Sequence, residues 1–397
     1  MFDSEINIAS WICLIALCVS SVIAILARFI PIIRTARTAN AQKGEAELVE
    51  FHEGEEVPKA SVIVYCFINE DSLMEYLDVL MNQDYPNYEV ILINEGSYDV
   101  SFSLAERLQQ KYPERLYVTF IPPESHNVSR RKLALTIGLK AAKGEIVVTT
   151  ASNCIITSPH WLSLMMQPFI GSDRTDVVLG YAHINFANLR GPSKWYKEFD
   201  ATLTACQWLG AAINHYPYRG DGFNLAYRRH LFFEQKGYSK TLHLMNGDDD
   251  LFIHDIATRT NTDVMIAPDA ILTYDYGEAA NRIMSDLKER YQFTAQMLPR
   301  LPFLRAGLGS AMQITATVCG IAAAVLALPN ILPLIVACSL LAILNTCEIL
   351  LYRKAARALG SVCLWWALPL FLLWHPIGNL IFKYRYRNQR KKNFTFT

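Results

Sequence analysis

Both ends of this sequence are apolar runs long enough to cross a lipid bilayer, and that constrains what the middle can be. Ile8 to Ala27 is about 20 residues without a charged side chain, enough for a hydrocarbon core of about 30 Å. Asp3 and Glu5 precede it; Arg28, Arg34, Arg37 and Lys43 follow. A cleaved leader is disfavoured, because the preceding charges are acidic and the apolar run is too long. The cationic flank places the residues after Arg28 in the cytosol.

Near the other end, 308–328 and 331–351 are two further candidate spans, joined by Pro329-Asn330. So short a link predicts a helical hairpin whose two ends share one side, and Arg353, Lys354 and Arg357 mark the returning end. The stretch 362–382 is interrupted by Pro369 and Pro376 and carries Trp365, Trp366 and Trp374. It reads as interfacial or re-entrant, ahead of a basic tail. The expected organisation is an anchor over 1–33, a linker over 34–58, a cytosolic domain over 59–302 and a membrane region over 303–397. That makes one N-terminal and two or three C-terminal membrane segments, in a multi-pass protein of the cell (inner) membrane with membrane lipids as partners.

Lys plus Arg and Asp plus Glu both number 37, so the basic excess of a nucleic-acid binder is absent. Nine cysteines occur without a Cys-x-x-Cys pair, and His215, His243 and His254 lack ligand spacing. Neither zinc nor a disulfide framework is expected.

Between Lys59 and Pro302 short apolar runs alternate with amphipathic stretches. Strands are expected over 61–67, 89–93, 116–121 and 145–150, with helices over 73–83, 102–112 and 130–142. Strands buried on both faces and separated by helices predict an α/β fold with a doubly wound, mostly parallel sheet. Ligands of such sheets bind beyond the carboxyl ends of the strands. Attention therefore falls on Asn69-Glu70, Asn94-Glu95 and Ala151-Ser152-Asn153. No dinucleotide or P-loop glycine motif follows the first strand.

Four stretches, SVIVYCFINEDSL with NQDYPNYEVILINEGSYD, RRKLALTIGLKAAKGEIVVTT, YRGDGFNLAYRRHLFF and NGDDDLFIHDIA, together resemble the inverting family 2 glycosyltransferases of membrane-anchored bacterial type. The resemblance implies a GT-A fold, and transfer of a sugar from a nucleotide-diphosphate sugar to a glycan or lipid-linked acceptor. It also implies roles. Asn69, Glu70, Glu95 and Asp99 would hold the nucleoside, although Glu70 and Asp99 would equally serve as helix caps. Arg131 and Lys132 would approach the diphosphate, with Asn153 on the fourth strand end. The triplet Asp248-Asp249-Asp250 would supply the base, with Asp249 ranked first and Asp248 second. Three adjacent acids repel one another, and a capping role needs only one. Gly220, Asp221, Gly222, Asn224 and Arg290 would line the acceptor side.

The sequence departs from that family at the expected Asp-x-Asp metal motif, which reads Ala151-Ser152-Asn153. Ala151 has no ligand atom, and Asn153 offers a single neutral oxygen as the only candidate metal ligand. Hard cations such as Mg²⁺ and Mn²⁺ depend on anionic oxygens, so weak or absent metal dependence is expected. Two readings stay open: a transferase that neutralises the diphosphate with cationic side chains, or a catalytically impaired relative that binds a nucleotide sugar, a glycan or a partner at the membrane.

Overall fold

The structure is a computed structural model that describes residues 8–45, 51, 56–66, 70–94, 102–121, 129–172, 174–187, 189, 191–275, 280–328 and 331–387. The chain divides into two compact units.

The larger unit comprises 37–194, 211–298 and the final residues, and is built on a seven-stranded sheet. Its strands are β1 (Ala60–Cys66), β2 (Tyr88–Asn94), β3 (Leu116–Phe120), β4 (Ile146–Ala151), β6 (Val177–Leu179), β8 (Leu225–Arg228) and β9 (Thr262–Val264). A second, three-stranded sheet contains β5 (Cys154–Ile155), β7 (Ala182–Asn185) and β10 (Leu272–Asp275). The large sheet runs in the order β3-β2-β1-β4-β8-β6-β9, and only β8 lies antiparallel to its neighbours.

The sequence pattern accounts for this order. Every residue of β2 and β4 is buried, as continuous Val/Ile/Leu runs covered on both faces should be. On edge strand β3 burial alternates at its start, and Tyr117 faces out. The helices Glu70–Met81, Phe102–Lys111 and Arg130–Ala141 fall where the amphipathic stretches predict them, with small shifts at their ends. Because β2 and β4 flank β1 on opposite sides, the chain reverses its winding between β1 and β4. A doubly wound sheet opens a crevice at such a point.

The smaller unit comprises 1–36, 195–210 and 299–388 and is helical. Among the described residues three helices are long and apolar enough to cross a membrane: Ile8–Ala41, Arg300–Leu326 and Leu332–Ala358. The first runs further than expected: residues 34–41, read above as the start of a linker, continue the helix. Pro31 has no N–H to offer the carbonyl of Ala27, and the chain passes through a π-helical turn over Ile25–Phe29 just before it. The carbonyls of Leu26 and Ala27 instead accept from the Arg305 guanidinium at 3.0 and 3.2 Å. The stretch read as interfacial or re-entrant forms the helix Leu368–Arg387 with Pro376 inside it; it is not among the three candidate spans. One segment was not foreseen in this unit: Trp195–Gly210, from the helix Pro192–Ile213, belongs here instead of to the α/β unit.

Polar side chains are buried among these helices. Arg28 is 1% exposed and Glu348 0%. Arg28 Nη2 donates to His375 Nδ1 at 3.3 Å, and Nε2 of the same ring lies 3.0 Å from Asp200 Oδ1. A ring protonated at Nε2 satisfies both contacts. Gln313 Nε2 donates to Glu348 Oε2 at 2.9 Å, and the Glu348 charge acts on Arg28.

Candidate active site

The site forms where the start of the helix Arg130–Ala141 meets the acidic triplet. Ser129 caps that helix, accepting from Lys132 N at 3.5 Å, so Arg131 and Lys132 occupy its first turn. Their roles differ. Lys132 is 1% exposed, and its ammonium donates to the carbonyls of Thr241, Leu244 and Asn246 at 2.6, 3.0 and 2.8 Å. All three of its protons are used within the protein, so it braces the turn that precedes the triplet and does not reach towards a diphosphate. Burial pulls its pKa down to about 8, against the opposing pull of the three aspartates.

Arg131 Nε lies 2.7 Å from Asp248 Oδ2, and its guanidinium stacks 4.1 Å from the Phe223 ring centroid. Burial alone would lower this arginine, yet Asp248 and Asp249 hold it above its ordinary value.

The triplet itself is split three ways. Gly247, at φ +94°, takes the left-handed conformation that turns the chain into it. Asp248 is buried and paired with Arg131, and burial raises its carboxyl. Asp250 opens the helix Asp250–Ile256; it is buried, accepts from Leu251 N at 2.8 Å and receives the Thr294 hydroxyl. Burial, then the charge of Asp249, pushes it up to about 7. Asp249 is the helix N-cap, with Oδ1 accepting from Asp250 N at 2.7 Å. It alone of the three is half-buried. A narrow cleft lies between this turn and the helix Ala280–Thr294, from which Leu287, Arg290, Tyr291 and Thr294 face it; Arg131 forms part of its wall. Arg290 is exposed at the cleft.

The glycine loop is drawn tightly against the same acids. A Cβ on Gly222 would lie 2.8 Å from both Arg131 Nη2 and Asp249 Cβ, so only glycine lets the loop pass between them. Gly220 is packed on Leu179 and Ile253. Asp221 braces the loop, accepting from Phe223 N at 3.1 Å and Ala182 N at 3.2 Å, and burial raises it to about 6. Asn224 faces no cleft. It is fully buried, donates to the carbonyls of Tyr181 and Ala270, and accepts from Trp161 Nε1. Its place is in the core behind the loop.

At the end of β4, Ala151 is buried and Asn153 Nδ2 donates to the Asp275 carbonyl at 3.0 Å. Asn153 Oδ1 is buried without a hydrogen-bond partner. One neutral oxygen does not make a site for a hard divalent cation. Among the described residues no group of three or more His, Cys, Asp or Glu side chains is placed to hold a metal. Asn69, Glu95 and Asp99 lie outside the described residues, as does the side chain of Glu70.

Three residues the sequence reading did not single out complete the arrangement: Arg219, Phe223 and Thr294. Arg219 stacks 3.7 Å from the Tyr291 ring centroid. It stands immediately before the glycine loop, the one signal that would have drawn attention to it.

Residues 58–294 match the model of the family described as glycosyltransferase like family 2. The chain belongs to that family. It is 28% identical over 143 residues to the poly(ribitol-phosphate) beta-glucosyltransferase of Bacillus spizizenii, covering 35% of this chain and 21% of that one. It is 33% identical over 128 residues to the cholesterol galactosyltransferase of Borreliella burgdorferi, covering 32% and 34%. The family 2 chain thus spans about a third or less of the length of these curated relatives. In three dimensions it is similar to the mannosyltransferase PcManGT of Pyrobaculum calidifontis, solved in complex with GDP-Man and Mn²⁺. That match has 18% identity and a TM-score of 0.51 and covers 92% of this chain and 99% of that one. At that identity the likeness establishes a shared GT-A fold.

Proposed function

We propose that this protein transfers a sugar from a nucleotide-diphosphate sugar to a glycan or lipid-linked acceptor, with Asp249 as the base and with little or no need of a divalent cation. The observation that carries the reading is the division of labour in the triplet. Asp248 is neutralised by Arg131 and Asp250 is held by Thr294, which leaves Asp249 half-exposed at the cleft. A base must reach the proton it removes, and this carboxylate alone of the three is accessible. In the transfer, Asp249 takes the acceptor hydroxyl proton as the acceptor oxygen attacks the anomeric carbon. The bond from that carbon to the diphosphate breaks, and the nucleoside diphosphate departs with the electron pair. Attack opposite the leaving group inverts the anomeric centre.

Charge developing on the diphosphate falls to cationic side chains, of which Arg290 and Arg131 border the cleft. The end of β4 favours this over metal catalysis, because Ala151 and Asn153 supply no carboxylate. The same substitution motivates the second reading, a nucleotide-sugar or glycan-binding protein without turnover.

Titrating the detergent-solubilised chain with uridine and guanosine nucleotide sugars, with Mn²⁺ or with EDTA, separates these readings. Binding and turnover are expected to persist in EDTA within about threefold of the Mn²⁺ value. Turnover only with Mn²⁺ would overturn the metal-independent part, and binding without turnover under every condition would favour the second reading.

The α/β unit is placed on the cytosolic side of the membrane, following the cationic residues after Ala27. A lipid-type acceptor is supported by this anchoring and by a relative named for cholesterol. A reporter fused after Thr397 should be active only inside the cell; activity outside would overturn this topology.

A further inference from the structure

We infer that the helix Leu368–Arg387 lies along the membrane surface at headgroup level and, with the basic tail that follows it, binds anionic phospholipids. Which leaflet it meets rests on the topology proposed above; the lipid binding itself does not.

One contact sets the depth of this helix. His375, near its middle, accepts from Arg28 Nη2 at 3.3 Å, and Arg28 directly follows the uncharged run Ile8–Ala27. A helix that crossed the bilayer would carry its midpoint to the centre of the hydrocarbon, not to the end of a neighbouring span. Its apolar stretch is also short. Leu368 to Phe382 makes about 22 Å of helix, against a hydrocarbon core of about 30 Å.

The two faces of the helix differ. Leu368, Leu372 and His375 are buried, and His375 Nε2 lies 3.0 Å from Asp200 Oδ1. Phe371 packs on Tyr196 and Phe199, with ring centroids 5.6 Å apart in each pair. The segment leading in is held as well: the Thr202 hydroxyl donates to Ser361 Oγ, and Val362 N to Glu198 Oε1, both at 2.7 Å. These contacts leave Leu370, Trp374, Ile377, Ile381 and Tyr384 outside, each at least 41% exposed. Steps of four and three residues set the five in one line along the helix. So long a line stays out of water only if the helix runs along the surface. Trp365 and Trp366, also exposed, precede it. Tryptophan and tyrosine suit that level, with an apolar ring and a polar tip.

Charge selects the lipid. After Glu348 the sequence has no acidic residue, and Lys383, Arg385, Arg387, Arg390, Lys391 and Lys392 close the helix and begin the tail. Anionic headgroups attract such a segment by about fivefold per cation near the surface, and zwitterionic ones do not. A second copy of this chain would set two tails of one sign side by side, so lipid is the better cover for the stripe.

The test places the full chain in nanodiscs of phosphatidylcholine with about 20% phosphatidylglycerol and reads the lipid retained after mild detergent extraction by native mass spectrometry. The bound ratio of phosphatidylglycerol to phosphatidylcholine should exceed that of the disc about tenfold. With all six tail cations replaced by glutamine, from Lys383→Gln to Lys392→Gln, it should return to within about twofold of the disc. Equal retention of the two lipids by the wild type, or unchanged enrichment in the neutral-tail variant, overturns the proposal.

Depth is read with brominated lipids, taking the Trp374 signal as the difference between wild type and Trp374→Leu. Bromine near the headgroup should quench it about threefold more than bromine at the end of the acyl chain. Stronger quenching from the chain end means a crossing helix, and quenching from neither means that protein covers the stripe; either overturns the proposal. The two leaflets of a disc are alike, so these results stand whichever side the reporter after Thr397 marks, and whether or not Asp249 is the base.

Discussion

Asp249→Asn should reduce sugar transfer by roughly 10³-fold while leaving nucleotide-sugar affinity within about twofold, because a positioned general base contributes about 10²–10⁴. The substitution is close to isosteric. The asparagine carbonyl oxygen can keep the cap on Asp250 N that Asp249 Oδ1 now makes at 2.7 Å, so the helix Asp250–Ile256 should remain in place. Its melting temperature should therefore stay near wild type, which separates lost chemistry from lost structure. The neighbours provide the contrast. Asp248→Asn removes the charge that Arg131 pairs with at 2.7 Å, so it should alter donor affinity and stability together. Asp250→Asn leaves the Thr294 hydroxyl a partner and should weaken transfer much less than Asp249→Asn. Single-turnover rates and equilibrium binding on the three variants check this order. Should Asp248→Asn or Asp250→Asn prove the more severe for chemistry alone, the assignment of the base moves with it.

Arg28→Met and Glu348→Met should each lower the melting temperature of the solubilised protein by roughly 10 °C, while the double substitution should fall only about 3 °C below wild type. Among the described residues the two opposite charges act on one another without a direct contact, so removing one leaves the other buried and uncompensated, at up to about 3–5 kcal/mol, whereas replacing both with apolar groups is often close to neutral. At about 2–4 °C per kcal/mol for a domain of this size the single variants are readily resolved. Arg28 and Glu348 are both essentially unexposed, and each holds one neutral partner: His375 for Arg28 and Gln313 for Glu348. Those partners cannot absorb a full charge, which is why the two losses should not add. Additive melting shifts in the cycle would mean that the two charges are independently satisfied.

Much of the fold was legible because its strands are buried on both faces. Val62 to Val64, Val90 to Ile93 and Ile146 to Val148 are continuous apolar runs of strand length, and each became a strand of the large sheet. The helix through Ala41 escaped notice because Arg34-Thr-Ala-Arg-Thr-Ala-Asn40 has no apolar period. Nothing in the sequence of Trp195–Gly210 marks which unit it joins; its partners across the chain, such as the Thr35 hydroxyl donating to Cys206 O at 3.3 Å, show that.

In the site, residue types were legible and their assignments were not. Lys132 stands in the turn where a phosphate ligand would be sought, but the carbonyls that occupy it come from more than a hundred residues later. Asn224 follows the glycine loop directly, yet it faces the opposite way into the core. Which acid of the triplet stays open depends on Arg131 and Thr294, both distant in sequence, so adjacency alone left the register undecided.

The buried charge on the first long helix also sets an order of events on the ribosome. Arg28 emerges early, while the imidazole that accepts from it lies 347 positions further on. At about 5–20 residues per second, roughly 17–70 s of elongation separate the two. Throughout that interval the guanidinium lacks this imidazole, and lipid headgroups or waters at the bilayer edge can serve it, its stem extended along the acyl chains. The helical unit therefore closes last, after the α/β unit has been made, and chains released before Glu348 should leave their first helix seated too shallowly to hold.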